Sequence, residues 1–126
     1  MRCLHRPRTS WLLALAVAVL PVVNGCEMVA PAGLTVVAEN VSFTPQRVRL
    51  PAGVPIQVTL RNADAGIPHG VQLMPMRSGV EARVLFASEI VTGVAELSFA
   101  LPVLQPGPYL FTCPVHPTMQ IEAEAV

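Results

Sequence analysis

Three side chains with metal-binding atoms follow one another at intervals of three near the C-terminus. They are Cys113, His116 and Met119, in the stretch Tyr109-Leu-Phe-Thr-Cys113-Pro-Val-His116-Pro-Thr-Met119. A thiolate, an imidazole and a weak thioether form a soft donor set that suits copper and takes one more imidazole. The chain has three histidines. His5 lies in a segment that reads as a targeting signal, and His116 is already counted. The third is His69, in Gly66-Ile-Pro-His69-Gly-Val71. His69, Cys113, His116 and Met119 are therefore expected to bind one copper ion.

An ion that gains and loses a single electron works best in a site whose geometry changes little between oxidation states. Two imidazoles and a thiolate near one plane, with a weak axial thioether, meet that need. Pro114 and Pro117 stiffen the short loop that carries three of the four donors. Stiffness lowers the ordering cost of binding. The competing reading makes Cys113 a core residue, His69 a histidine satisfied by backbone and Met119 packing. It has to explain four coincident donors.

Strands must position these residues. Ile56, Val58 and Leu60 alternate with Gln57, Thr59 and Arg61, the period-two pattern of a half-buried strand. Val48 and Leu50 form a second inward set, and Val41 and Phe43 are expected to share a face. The run from Leu34 to Ala38 is apolar on both faces. His69 falls in register with inward Val71 and Leu73, and Cys113 with Tyr109 and Phe111. Leu97, Phe99 and Leu101 form another such set, as do Ile121, Ala123 and Ala125. Asn62-Ala-Asp64-Ala-Gly66 reads as a turn cluster, and Met74-Pro75-Met76 with Ser78-Gly79 suggests a loop. Residues 84–91 suggest short strands or one helical turn. The count is seven or eight short strands without a long helix, which predicts an all-β antiparallel sandwich in a single domain.

The N-terminal segment reads differently. Arg2, Arg6 and Arg8 precede thirteen uncharged residues, Trp11 to Val23. That run fits an export signal and is short for a membrane span. Val23-Asn24-Gly25-Cys26 resembles a bacterial lipoprotein signal, in which the cysteine becomes the lipidated first residue. The expected division is a signal peptide at 1–25, a tether at 26–33 and the folded domain at 34–126. Ordinary cleavage near Ala30 or Ala32 is the alternative. With Cys3 in the signal and Cys26 acylated, Cys113 is the only thiol left in the domain, and metal ligation accounts for it. A Cys26–Cys113 disulfide is the other possibility.

Arg47, Arg49, Arg61, Arg77 and Arg83 meet eight acids after residue 25, a net charge of −3. Nothing basic invites nucleic acid.

The pattern resembles the cupredoxin, or blue copper, family. The ligand loop is most like that of its amicyanin and plastocyanin-type members, and the amicyanin loop also runs Cys, two residues, His, Pro, one residue, Met. Phe43-Thr-Pro45, Pro51-Ala-Gly53, Asn62 ahead of Pro68-His69, and Pro106-Gly107-Pro108-Tyr109 also fit. The resemblance implies a Greek-key sandwich and one-electron transfer, with electrons leaving by the solvent edge of His116. Many members carry Asn after the first His, bonded to a hydroxyl residue after the Cys. Gly70 and Pro114 stand there instead. Fewer hydrogen bonds are then expected at the thiolate, with the Gly70 N–H a remaining candidate.

The expected function is an exported, membrane-tethered electron carrier at a periplasmic or cell-surface location. It is expected to act as a monomer and to meet a redox partner, such as a cytochrome or a copper enzyme, near His116. Pro45, Met74, Met76, Pro114, Val115 and Pro117 are expected to form an apolar docking patch there. Copper enzymes need further histidines, and two-copper centres a cysteine where Tyr109 stands, so no enzymatic role is expected. The alternative is a copper chaperone or storage lipoprotein using the same ligands.

Overall fold

The computed structural model describes residues 31–76 and 83–126. The leader, Cys26 and the Ser78-Gly79 loop lie outside the described residues. Eleven strands follow in order: β1 Ala32–Glu39, β2 Ser42–Thr44, β3 Arg47–Leu50, β4 Ile56–Asn62, β5 Pro68–His69, β6 Gln72–Pro75, β7 Phe86–Ala87, β8 Val91–Thr92, β9 Ala95–Leu101, β10 Gly107–Thr112 and β11 Gln120–Ala125. Three of them, β5, β7 and β8, are only two residues long, and the two-residue β7 and β8 occupy the 84–91 region. The eight longer strands match the expected count, and no helix occurs among the described residues.

Two sheets face each other. One has the order β2-β1-β4-β9, the other β3-β11-β10-β6-β7, and β5-β8 is a small separate ladder. Most ladders are antiparallel, as the sequence predicts. Two are parallel, β1 with β4 and β11 with β3. The cause is connectivity. The chain leaves the first sheet after β2, lays β3 into the second and returns as β4, so β4 meets β1 running the same way.

Alternation sets the core. In β4 the residues Ile56, Val58, Leu60 and Asn62 are buried, while Gln57 and Arg61 are exposed; in β11, Ile121, Ala123 and Ala125 point in. Val36, Leu60, Leu73, Phe43 and Phe111 fill the space between the sheets. Each large apolar side chain buried there contributes about 1.5–3 kcal/mol by leaving water. The Tyr109 hydroxyl donates to the Gln105 carbonyl at 2.9 Å, which satisfies the polar end of a buried ring.

One predicted face is corrected. Phe43 is buried, but Val41 is 38% exposed. Glu39 pairs with Ser42, so Asn40 and Val41 form a two-residue hairpin loop instead of continuing a strand. Both have φ of 53°. Positive φ at both loop positions marks the tight turn whose twist matches that of the flanking strands. Asparagine suits the first position; a β-branched valine at the second is strained.

Candidate metal centre

The site lies at one end of the sandwich. Cys113 directly follows β10, and Met119 directly precedes β11. Thr112 pairs with Gln120, so residues 113–119 are a hairpin loop between antiparallel neighbours. The Cys113 N–H donates to the Met119 carbonyl at 3.2 Å, and the Met119 N–H to the His116 carbonyl at 2.9 Å. These bonds close the loop on itself. Cys113 and Met119 are buried, whereas His116 is half-buried and Pro114, Val115, Pro117 and Thr118 are exposed.

His69 arrives from the other side, on β5, which pairs with β8. Its side chain is fully buried. Cys113 Sγ stands 3.9 Å from His69 Nδ1 and 3.8 Å from His116 Nδ1. All three donor atoms lie within 4.8 Å of one another. The two imidazole centroids are 5.0 Å apart.

These spacings suit a shared ion. For scale, a zinc ion takes thiolate sulfur at about 2.3 Å and imidazole nitrogen at about 2.0–2.1 Å. At trigonal angles those lengths put sulfur and nitrogen about 3.8 Å apart; at tetrahedral angles, about 3.6 Å. Both observed separations lie close to that range, so one ion could reach all three donors with little movement. Thiolate, two imidazoles and a buried thioether in the same loop form the donor set of a type 1 copper site.

Asp64, which the sequence offered only as part of a turn, touches this site. Its Oδ2 stands 2.8 Å from His69 Nε2. An ionised carboxylate only accepts, so Nε2 carries a proton, and Nδ1 is the nitrogen that faces Cys113. Asp64 also accepts the N–H groups of Asn40, at 2.6 Å, and Val41, at 3.0 Å. The carboxyl is held below its ordinary value, chiefly by the Val41 N–H and then by the His69 hydrogen bond; desolvation opposes them. The available signal was Asn-x-Asp five residues ahead of the histidine.

Asn62 shapes the same loop. Buried at the end of β4, it donates its amide hydrogens to the Ile67 and Val91 carbonyls at 2.8 and 3.1 Å. Its Oδ1 accepts the Asp64 N–H at 2.9 Å. Asn62 thus ties the Asp64–His69 loop to β8.

Two expectations about the surroundings change. Met74 and Pro75, expected in a loop, belong to β6, where Met74 pairs with Leu110, and the Met76 N–H donates to the Pro108 carbonyl. Gln72 is the residue of β6 opposite Thr112. At about 3.3 Å per residue, Met76 lies roughly 13 Å further down the strand and does not rim the site. Ile90 takes that place. It is 45% exposed, and its Cδ1 would stand 2.6 Å from a Cβ on Gly70, with Pro114 Cγ at 3.5 Å. An apolar side chain therefore fills the space beside Gly70. The hydrogen-bond-range neighbours of Cys113 Sγ among the described residues are the two imidazoles; the Gly70 N–H is not one of them.

A family model described as a cupredoxin-like domain matches residues 12–123. The chain belongs to the cupredoxin-like family. Solved cupredoxins share its fold. A reduced auracyanin from Roseiflexus castenholzii superposes with a TM-score of 0.66 at 15% identity, covering 77% of this chain and 98% of that one. Auracyanin A, a blue copper protein from Chloroflexus aurantiacus, gives 0.67 at 16% identity, covering 77% and 100%. A reduced amicyanin mutant gives 0.56 at 19% identity, covering 78% and 86%. No curated protein matches the chain.

Proposed function

We propose that this cupredoxin carries single electrons between redox partners through one type 1 copper held by His69, Cys113, His116 and Met119. The observation that carries the reading is the convergence of a buried thiol and two imidazoles, with their donor atoms within 4.8 Å of one another. Copper in such a site supplies a one-electron couple that needs little rearrangement.

The residues divide the work. Cys113, 1% exposed, offers its sulfur away from water and from competing thiols. His69, anchored to Asp64, fixes one side of the site. The closed loop holds His116 and Met119 in place. Half-buried His116 is the donor nearest solvent and provides the exit for electrons. Around it, exposed Pro114, Val115, Pro117 and Ile90 offer a small apolar face to a cytochrome or a copper enzyme, with exposed Glu89 adjoining Ile90. The burial of Cys113 favours a carrier over a chaperone, which needs an accessible sulfur to exchange its ion. Residues 1–25 are proposed to direct export, and lipidation of Cys26 to tether a monomeric domain outside the cytoplasmic membrane.

Voltammetry of the copper-loaded protein tests the reading. A reversible one-electron wave, with copper retained through repeated cycles, is expected. Loss of the ion on reduction to an added Cu(I) chelator would place the chain among copper-delivery proteins instead.

A further inference from the structure

The buried carboxylate of Asp64 has two roles at once. It accepts the His69 Nε2–H and the two N–H groups of the strained Asn40–Val41 turn. Among the described residues no cationic side chain shares these contacts, so its charge faces His69 directly. We propose that Asp64 is a positioning residue for the copper site. It holds His69 in the Nε2–H tautomer, strengthens Nδ1 as a donor, and thereby favours Cu(II) over Cu(I) and lowers the reduction potential. The inference rests on the copper reading above.

The physical route is short. A carboxylate on the far nitrogen of a ligating imidazole pushes electron density toward the near nitrogen and fixes the ring's orientation. The more highly charged ion gains more from that density. Two backbone donors hold the carboxylate, so it cannot swing away from the ring without releasing the turn. The β1–β2 hairpin, remote from the ligand loop in sequence, is therefore part of the site's support.

Asp64→Asn alone confounds the turn with the ligand, because the turn depends on the same carboxylate. Val41→Gly removes the strain first, since asparagine–glycine is the preferred pair for such a turn. The test compares Val41→Gly with Val41→Gly/Asp64→Asn. With Asp64 replaced, Cu(II) affinity is expected to fall about 10- to 100-fold. Cu(I) affinity should fall less, so the potential rises. Equal losses for both ions, or an unchanged potential, would overturn the proposal and leave Asp64 as a turn anchor only. NMR of the ring nitrogens in the metal-free, unmutated protein gives a readout independent of copper. Nε2–H on His69 is expected, and Nδ1–H would overturn the proposal. Absence of a blue Cu(II) form in the Val41→Gly parent and the unmutated protein alike would sink the copper reading itself, and this inference with it.

Discussion

His69 Nδ1 and Cys113 Sγ stand 3.9 Å apart, both buried, although 44 positions separate them in the chain. The fold brings them together. β5 places His69 at the end of the sandwich where β10 stops, and the next residue after β10 is Cys113. Each group has a partner, His69 in Asp64 and Cys113 in the two imidazoles, so the burial of both is satisfied while their donor atoms still face one another.

The Asn40–Val41 turn yields a stability prediction. Valine at a φ of 53° is strained by roughly 1–3 kcal/mol. Glycine relieves that strain and returns about 0.5–1 kcal/mol in unfolded-state entropy. Val41→Gly should therefore stabilise the metal-free protein by about 1 kcal/mol in urea unfolding. A loss of similar size would mean that the side chain makes compensating contacts.

Gly70→Ala probes the packing of Ile90. The clash is with Ile90 Cδ1, the tip of a half-exposed side chain that can rotate into solvent. The expected cost is under about 1 kcal/mol, below the usual penalty for overpacking a closed core. An Ile90→Ala background should remove even that, a coupling readable by a double-mutant cycle. A cost of several kcal/mol would show that Ile90 is locked in place and holds the site shut.

The acid limb of stability should report Asp64. Its folded-state pKa lies below 3.8, set first by the Val41 N–H and next by the His69 hydrogen bond. A lowered carboxyl pKa gives stability that is complete above the unfolded value and is lost as pH falls through the folded one. Denaturation of the metal-free protein should show this loss below pH 3.8. The loss should shrink in Val41→Gly/Asp64→Asn relative to Val41→Gly. Identical acid limbs in the two proteins would contradict the assignment.

Much of this molecule is legible in the chain. Alternation in β4, β10 and β11 marks which residues point inward, because each strand has one face on a single core. The grouping of Cys113 with His116 is legible because one loop carries both. Periodicity failed at Val41, where a turn interrupts the two-residue repeat at a residue that rarely makes turns. Met76 was misplaced because strand register decides its distance from the site, and a run of residues does not state its register. Asp64 was missed for a related reason. A turn-forming aspartate looks the same whether its carboxylate faces water or, as here, a histidine on the next strand and a hairpin 23 or 24 residues upstream.

The most direct measurement is titration of the purified metal-free protein with Cu(II), followed by visible absorption and electron paramagnetic resonance. We expect an intense blue thiolate-to-copper band that saturates at one equivalent and is lost in Cys113→Ser. A protein that stays colourless through the titration, or a band that survives Cys113→Ser, would contradict a copper site built on His69, Cys113, His116 and Met119.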